Sequence, residues 1–329
     1  MVSSKVTSHK SQVTSQRSKV DLSVKIGKIK MKNPVMVASG TFGYGKEYED
    51  IVDLNRLGAI VTKTITRYPR SGNPPPRIAE TASGMLNSIG LENDGVESFI
   101  NEKIPYLKKI GIPVIVSIGA EEINEFADLA ARLNKVDGIS GIEINISCPN
   151  LTSHKSQVTS HKFRLFSQDR RSTYKIVKRV RKATNLTLIT KLTPNVTDIT
   201  EIAKAAEDGG SDAISLVNTY MAMAVNINTG RPRLGNVTGG LSGPAIKPLA
   251  LKAVWDVYNS VDIPIIGMGG ITSAQDIVEF MICGARAVAL GSINFVYPNK
   301  CIEIVDELAY YIKSRKIKRL SELTGSLKT

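Results

Sequence analysis

Residues 187–218 read TLITKLTPNVTDITEIAKAAEDGGSDAISLVN, and this stretch decides the fold. It begins with an apolar run at 187–192, continues through a segment with helical spacing at 197–210, and ends with a second apolar run at 213–218. Such an alternation indicates a strand, a helix and a second strand that lies parallel to the first. We therefore predict one β–α–β unit here.

The same alternation recurs along the chain. Eight apolar runs are separated mostly by amphipathic segments, and they lie at 34–39, 59–64, 113–119, 141–147, 187–192, 213–218, 264–270 and 287–292. Eight parallel strands close a (β/α)8 barrel, so we predict an α/β protein of the TIM barrel class, with an open doubly wound sheet as the alternative. Segment 22–34 predicts a β-hairpin that closes the bottom of the barrel, and segment 45–58 has helical spacing.

Cysteine usage and hydropathy restrict the class of protein. The 329-residue chain has three cysteines, and this odd, widely separated set does not form a disulfide framework. No signal peptide is recognised, so we expect a reducing, cytoplasmic setting. No run approaches the ~18 apolar residues that cross a bilayer, so we expect no membrane association.

Two segments carry the whole net charge of +13. Residues 1–19 contain four Lys or Arg and no acid, and residues 151–182 contain ten Lys or Arg and a single acid. Such cations can contact phosphates non-specifically, so a nucleic-acid-binding protein is an alternative function of another class. The aromatic residues of the second segment are Phe163, Phe166 and Tyr174. They form no stacking platform, and we expect no nucleic-acid partner.

A nine-residue repeat, TSHKSQVTS, occurs at 7–15 and again at 152–160. Ser, Thr, Gln and Lys without apolar partners bury too little surface to offset the entropy of ordering. We therefore predict a disordered, repeat-containing tail at 1–20 and an inserted low-complexity loop at 151–165, after strand 4. The barrel domain is expected to span 21–329. A Ser-rich, basic transit peptide is the alternative for the tail, although the second copy inside the chain disfavours it.

The histidines of the chain are confined to these repeats, at His9, His154 and His161. The rest of the sequence offers no imidazole for acid–base chemistry or a catalytic triad. Cys148, in the stretch NISCPN, is the best-placed base because the reference pKa of a thiol is about 8.5. A buried thiol and a metal ligand are the alternatives, but no second Cys or His lies at ligand spacing, so we expect no metal. Cys283 and Cys301 fall in apolar helical patterns and are predicted core residues.

Functional side chains of a barrel gather at the carboxyl ends of its strands. The last two runs end in Gly269–Gly270 and Gly291–Ser292, where barrels commonly bind phosphate through exposed backbone N–H groups. Lys63 and Lys191 lie within apolar runs, where a lysine costs desolvation energy unless it faces an anion or an electron-rich ring. We therefore predict a phosphate-bearing cofactor; tight turns and snorkelling lysines are the alternatives. Four asparagines suited to a planar, amide-rich ring are Asn87, Asn145, Asn150 and Asn218.

Several long stretches resemble the catalytic subunit of family 1B dihydroorotate dehydrogenase, the NAD-linked form. They are SGTFGYGKEY (39–48), RYPRSGNPPPRIAETASGMLNSIGLEN (67–93), IEINISCPN (142–150), KLTPNVTDI (191–199) and NVTGGLSGPAIKP (236–248). The resemblance covers roughly residues 21–320, excluding the stretch after Asn150. It implies an FMN-binding barrel that oxidises dihydroorotate to orotate in de novo pyrimidine (UMP) biosynthesis.

The resemblance also implies a role for each matching residue. Cys148 would be the base that removes a proton from C5 of dihydroorotate while a hydride leaves C6 for the flavin, and Lys191 would stabilise negative charge on the reduced ring. The substrate-binding residues would be Lys63, Asn87, Ser88, Ile89, Gly90, Leu91, Asn145, Asn150, Asn218 and Thr219. The FMN-binding residues would be Ser39, Lys63, Thr64, Ser117, Asn145, Lys191, Val217, Gly243 and, around the phosphate, Gly269, Gly270, Gly291 and Ser292.

The electrons need an outlet that the chain itself lacks. The glycines of GTFGYG at 40–45 do not match the dinucleotide fingerprint, and the cysteines do not form a cluster-binding set. The resemblance implies a partner subunit that carries FAD and a [2Fe–2S] centre and reduces NAD, with a homodimer of this chain at the core of a heterotetramer. A fumarate-dependent form without a partner is the alternative; TGGLSGPAIKP at 238–248 favours the partner-dependent form.

The sequence departs from the family pattern at two places. Residues 151–171 contain no glycine, although the family has a glycine-rich loop there that closes over the substrate, so we expect altered loop closure. Ser117 stands where relatives carry an asparagine that faces the flavin, and a hydroxyl offers fewer hydrogen bonds than an amide.

Overall fold

The computed structural model describes residues 20–147 and 166–329. In this part of the chain the strands, in chain order, are β1 (Val24–Ile26), β2 (Ile29–Met31), β3 (Val35–Val37), β4 (Ala59–Val61), β5 (Ile78–Thr81), β6 (Gly84–Asn87), β7 (Val114–Ile118), β8 (Gly141–Asn145), β9 (Thr187–Lys191), β10 (Ala213–Leu216), β11 (Tyr220–Met223), β12 (Val225–Asn226), β13 (Arg231–Pro232), β14 (Thr238–Ser242), β15 (Ile265–Gly267) and β16 (Ala285–Leu290). The α-helices are α1 (Gly95–Ser98), α2 (Ile104–Ile110), α3 (Ile123–Leu133), α4 (Arg170–Ala183), α5 (Ile199–Asp208), α6 (Lys247–Tyr258), α7 (Ala274–Ile282), α8 (Ile293–Val296) and α9 (Lys300–Ser314).

Eight strands form one closed parallel barrel. Their order is β3, β4, β7, β8, β9, β10, β15 and β16, and β16 pairs back onto β3. The order around the barrel follows the order along the chain, and most connections carry a helix. The predicted TIM barrel is confirmed, and the open doubly wound sheet is wrong because every barrel strand has two neighbours.

Alternate residues of each barrel strand face opposite sides of the wall, as the period of a strand requires. On β8, Ile142 and Ile144 join the large apolar core that includes residues of the surrounding helices. Glu143 and Asn145 face inward, where both are buried. A second apolar cluster fills the barrel interior and includes Ile115 of β7. The wall is therefore covered by apolar groups outside, whereas the interior contains both apolar and polar groups.

The N-terminal hairpin closes the amino-terminal end of the barrel, as predicted. β1 and β2 pair antiparallel, and Ile26, Ile29 and Met31 are buried in the interior apolar cluster. The hairpin turn contains Gly27 at φ +55°, and a Cβ there would lie 2.6 Å from Cγ2 of Thr187 at the start of β9. A side chain has no room at this turn, so glycine is required.

The helix expected over 45–58 is wrong. Only two single turns of 3-10 helix form there, at Lys46–Tyr48 and Leu54–Arg56. Asp53 separates them with φ −71° and ψ 85°, which is not a helical conformation. Val52, Leu54 and Leu57 are buried all the same, which explains why the spacing of the segment resembled that of a helix.

An antiparallel sheet that the sequence did not predict lies next to the carboxyl end of the barrel. Its strand order is β11, β14, β6 and β5. β11 begins four residues after β10 ends, and β14 pairs with β6 through Gly240 opposite Asn87. Among the helices of residues 20–147 and 166–329, none is both long enough and apolar enough to cross a bilayer.

Candidate functional site

A cavity of about 580 Å³ lies at the carboxyl ends of the barrel strands. This volume is in the range of small-molecule and cofactor sites. The predicted site residues that line it are Ser39, Lys63, Thr64, Asn87, Ile89, Gly90, Leu91, Asn145, Lys191, Val217, Asn218, Thr219, Gly243, Gly269, Gly270, Gly291 and Ser292. Ser88 and Ser117 are fully buried and do not line it, and Cys148 and Asn150 lie outside the described residues.

A chain of hydrogen bonds centred on Thr64 joins the ends of four neighbouring strands. The Oγ1 atom of Thr64 accepts from Nδ2 of Asn145 at 3.0 Å. It also lies 3.1 Å from Oγ of Ser39 and 2.9 Å from Oγ of Ser117. The amide of Asn145 is therefore held in one orientation. The Ser117 hydroxyl bonds to Thr64 and does not face the cavity. The serine that replaces the family's asparagine therefore has a hydrogen-bond partner within the barrel wall.

Ser147 extends this chain to β10, and the sequence did not single it out. Its hydroxyl donates to Oδ1 of Asn145 at 3.1 Å and accepts from Nδ2 of Asn218 at 2.8 Å. The Oδ1 atom of Asn218 accepts from the backbone N–H of Thr219 at 2.8 Å. Ser147 is fully buried and directly precedes Cys148 in the chain. Two of the predicted asparagines are thus positioned through the residue next to the predicted base.

Two lysines supply positive charge to the cavity. Lys63 is partly buried, and its ammonium makes no hydrogen bond or ion pair with the residues that the structure describes. Lys191 is almost fully buried, and its Nζ lies 3.9 Å from Oε1 of Glu143. The sequence analysis missed Glu143, although an acid in the middle of the apolar strand GIEIN is a signal that could have found it.

The two glycine-containing strand ends form a wall of backbone donors. Gly269 and Gly270 have φ +127° and +74°, and a Cβ at Gly269 would lie 2.9 Å from Cβ of Ala250. A Cβ at Gly291 would meet only Cγ2 of Thr41, at 3.9 Å, so this position borders open cavity space. Within the described part of the chain, the backbone N–H groups of Gly269, Gly270, Gly291 and Ser292 have no acceptor. Such a group of N–H donors suits a phosphate.

An ion pair packs against these backbone N–H donors on the side away from the cavity. Nζ of Lys247 donates to Oδ1 of Asp276 at 2.6 Å, and a Cβ at Gly270 would lie 2.8 Å from Cβ of Lys247. The hydrogen bond to Asp276 raises the pKa of Lys247. Burial acts to raise the pKa of Asp276, but hydrogen bonds from Lys247, Thr272 and Ser273 outweigh it and leave that pKa below its ordinary value. Both groups are therefore charged at neutral pH.

The outer part of the cavity contains side chains that were not predicted. Tyr44, Glu47 and Lys103 line it, and the backbone N–H of Tyr44 donates to Oε2 of Glu47 at 3.2 Å. Burial raises the pKa of Tyr44 to about 12, so the phenol is neutral at physiological pH. Tyr44 and Glu47 come from the segment after β3, and Lys103 ends the π-helical segment Phe99–Lys103 that precedes α2, so none of the three lies at the end of a barrel strand.

The residues present fit a flavin mononucleotide. The N–H wall suits its phosphate, and the middle of the cavity is lined by apolar side chains including Ala38, Val217, Met268 and Ala289. These four are buried, and they provide a dry surface for a planar ring. The opposite part contains lysine and asparagine side chains, which suit an anionic, amide-bearing substrate.

Comparison with known proteins gives one consistent result. A family model described as dihydroorotate dehydrogenase matches residues 21–312. The chain is 51% identical to "Dihydroorotate dehydrogenase B (NAD(+)), catalytic subunit" of Thermoanaerobacter sp. (strain X514), over 94% of this chain and 99% of that protein. Proteins with the same name from Desulforamulus reducens and Geotalea uraniireducens are 49% and 47% identical, again over 94% of this chain and 99% of each relative.

Proposed function

Because the chain belongs to the dihydroorotate dehydrogenase family, we propose how its cavity carries out that reaction. The protein is an FMN-dependent oxidoreductase that oxidises dihydroorotate to orotate in pyrimidine biosynthesis, and it works with a partner electron-transfer subunit. One observation carries the assignment of roles to residues. A single cavity combines a wall of backbone N–H donors, an apolar middle, and a part that presents lysines and asparagines.

FMN is held across this cavity. The N–H groups of Gly269, Gly270, Gly291 and Ser292 would bind its phosphate, and Lys191 would contact its ring. The remaining contacts come from Ser39, Lys63, Thr64, Asn145, Val217 and Gly243, with Ser117 acting through Thr64. When bound, FMN supplies the acceptor for the hydride that leaves C6 of the substrate.

Dihydroorotate binds on the lysine and asparagine side. The ammonium of Lys63, which has no partner among the residues that the structure describes, attracts the carboxylate, because such a cation in a partly buried site gains most from an anionic ligand. The amides of Asn87, Asn145, Asn150 and Asn218, together with Thr219 and the segment 88–91, bind the N–H and C=O groups of the ring. These groups orient the substrate so that C5 faces the base.

Cys148 is the base that removes the proton from C5. No histidine is present outside the repeats, and a thiol with a pKa of about 8.5 is within reach of neutral pH. Support comes from its neighbour Ser147, whose hydroxyl contacts Asn145 and Asn218. Substrate-binding groups and the base are therefore connected through adjacent residues of one strand end.

The partner carries FAD and a [2Fe–2S] centre and passes the electrons to NAD, in a heterotetramer built on a homodimer of this chain. The complex is cytoplasmic and acts without a membrane or nucleic acid. The barrel domain spans 21–329, with 1–20 as a tail and 151–165 as an insertion. The name of the relatives, a catalytic subunit of an NAD(+) enzyme, supports the partner, and no sequence feature of this chain supplies the FAD or the cluster.

The acceptor is tested with the isolated chain loaded with FMN. Dihydroorotate oxidation is assayed with an artificial dye, with NAD and with fumarate, and the FMN-free chain is the control. We expect turnover with the dye and none with NAD until the partner is added. Fast turnover with fumarate would support the partner-independent alternative, and full NAD reduction by the isolated chain would overturn the need for a partner.

A further inference from the structure

Glu143 lies at the centre of β8 and points into the barrel interior. Its side chain is only 2% exposed, and its Oε2 accepts a hydrogen bond from Oγ of Ser215 on β10 at 2.9 Å. The other oxygen, Oε1, is buried without a hydrogen-bond partner among the described residues. A buried carboxylate with one unsatisfied oxygen costs free energy, so its presence in an otherwise apolar strand needs a reason.

The nearest cation to this oxygen is Lys191 on the adjacent strand β9. Its Nζ lies 3.9 Å from Oε1, which is close enough for an ion pair but too far for a hydrogen bond. The side chain of Lys191 is 6% exposed and lines the floor of the cavity. No acceptor for its ammonium is found in residues 20–147 or 166–329, so its N–H donors are available to a group in the cavity.

The hydrogen bond from Ser215 does not explain the acid. A glutamine would offer the same acceptor to Ser215 and would avoid the cost of burying a charge. A buried negative charge at this position is favourable only if a positive charge lies nearby. At 3.9 Å the carboxylate attracts the ammonium of Lys191, and solvent screens this attraction little because both groups are buried.

We propose that Glu143 is a positioning residue, which holds the ammonium of Lys191 in the cavity, where it would face the ring of a bound flavin. The inference rests on the proposed function, which places the ring near Lys191. The carboxylate contacts neither substrate nor cofactor in this arrangement. It acts through the lysine, which in turn stabilises negative charge on the ring when the flavin is reduced.

The direction of a redox shift separates this role from its alternative. Replacing Glu143 by Gln removes a nearby negative charge, and by itself this raises the reduction potential of bound FMN. If Glu143 holds the ammonium of Lys191 beside the ring, Glu143→Gln instead lets that positive charge move away from the ring and lowers the potential. The reduction potential reports how much more tightly the protein binds reduced FMN than oxidised FMN. In Glu143→Gln we expect this ratio of affinities to fall about 10-fold. A potential equal to or above that of the wild type would overturn the proposal.

Two further variants complete the test. In a Lys191→Met background, Glu143→Gln is expected to cause no further fall, because the cation through which it acts is gone. Ser215→Ala removes the hydroxyl that bonds to Glu143 but keeps the charge, and we expect its potential to stay near the wild-type value. A fall with Ser215→Ala as large as that with Glu143→Gln would assign the effect to packing and overturn the proposal.

A measurement on the FMN-free protein gives an independent readout. The rate at which an acid anhydride acylates each lysine is followed by peptide mass spectrometry, with Lys63 as the internal control. We expect Lys191 to react several-fold faster in Glu143→Gln than in the wild type, because the carboxylate no longer holds its amine in place; equal rates contradict the proposal. If the Gln variant does not fold, Glu143→Asp replaces it in the test. Aspartate keeps the charge but places it one methylene farther from Lys191, so we expect a smaller fall in potential than the one expected for Glu143→Gln.

The failure of this inference is distinguishable from failure of the proposed function. If Lys191→Met changes neither the affinity for FMN nor its potential, the ring is not near Lys191, and the proposed arrangement of the cofactor is wrong. If Lys191→Met lowers the potential but Glu143→Gln raises it, the arrangement stands and only the role of Glu143 is refuted.

Discussion

The cysteines of this chain differ in their fitness as bases. Cys301 is fully buried, its Sγ donates to the carbonyl oxygen of Pro298 at 3.2 Å, and burial raises its pKa to about 12. Cys283 is half-buried, and burial and the charge of Glu279 raise its pKa as well. Both thiols are therefore protonated near neutral pH. Cys148 remains the one cysteine that follows a barrel strand at its carboxyl end.

Replacing Cys148 by Ser tests its role as the base. A serine hydroxyl is a much weaker base near neutral pH, and general base catalysis contributes roughly 100-fold or more. We expect Cys148→Ser to bind FMN like the wild type but to be reduced by dihydroorotate at least about 100-fold more slowly, as followed by stopped-flow absorbance. Cys283→Ser is the matched control and should be reduced at the wild-type rate. Equal rates for both variants would remove Cys148 from the mechanism.

Site residues differed in how readily the sequence revealed them. Lys63 and Lys191 were found because a charged residue in an apolar run stands out, and both line the cavity. Glu143 stands out in the same way but was overlooked. Ser147 carries no such signal, because a serine is common at strand ends and its role depends on Asn145 and Asn218, which only folding brings together.

At the level of elements, the turn after β15 and helix α7 form one unit with the ion pair behind them. Ser273 and Asp276 make a capping box at the start of α7, and Oδ2 of Asp276 also accepts from the backbone N–H of Thr272 at 2.8 Å. Lys247 at the start of α6 joins this group. The two helices are thus fixed to each other next to Gly270, where the phosphate of FMN is proposed to bind.

Asp276→Asn is expected to destabilise the protein in a pH-dependent way. The pKa of Asp276 is held below 3.8, so its contribution is fully present above pH 3.8 and is lost as the pH falls through the lower, folded-state value. We expect Asp276→Asn to lower the free energy of unfolding by about 1–2 kcal/mol at pH 7. The measurement is urea unfolding of the FMN-free proteins at several pH values.

The difference between wild type and Asp276→Asn should shrink as the pH is lowered below 3.8. Glu279→Gln is the control, because Glu279 also pairs with Lys247 but its side chain is 47% exposed. An exposed pair contributes roughly 0–1 kcal/mol, so this variant should unfold close to the wild type. A difference for Asp276→Asn that stays constant from pH 7 down into the acid range would contradict the linkage.

Elements formed by local patterns were predicted better than those formed by distant pairing. Helix α5 follows directly from the spacing of its apolar residues. The sheet of β11, β14, β6 and β5 depends on the pairing of β14 with β6, in which residues about 150 positions apart, such as Gly240 and Asn87, lie opposite each other, and no local pattern encodes that pairing. The helix predicted wrongly at 45–58 is the reverse case, in which a local pattern was present but misleading. Val52, Leu54 and Leu57 are buried, and their spacing resembles that of a helix although none forms.

In the whole molecule, the barrel interior combines apolar and polar layers. The hairpin of β1 and β2 closes the amino-terminal end, and the interior apolar cluster extends from it to Ala38, Met268 and Ala289 at the cavity. Glu143, Asn145 and Lys191 are the polar groups of β8 and β9 in this interior. The eight runs were sufficient to predict this barrel because each run is buried on both faces, as strands covered by helices are. Residues 1–19 and 148–165 lie outside the described residues, so the tail predicted at 1–20 and the insertion predicted at 151–165 stay predictions.

Anaerobic addition of dihydroorotate to the FMN-loaded chain, followed by visible absorbance, tests the central claim most directly. If one cavity holds both the flavin and the substrate, the visible absorbance of oxidised flavin should disappear after mixing. One orotate should form for each flavin reduced. A chain that binds no FMN, or one whose bound flavin stays oxidised in excess dihydroorotate, would contradict the claim.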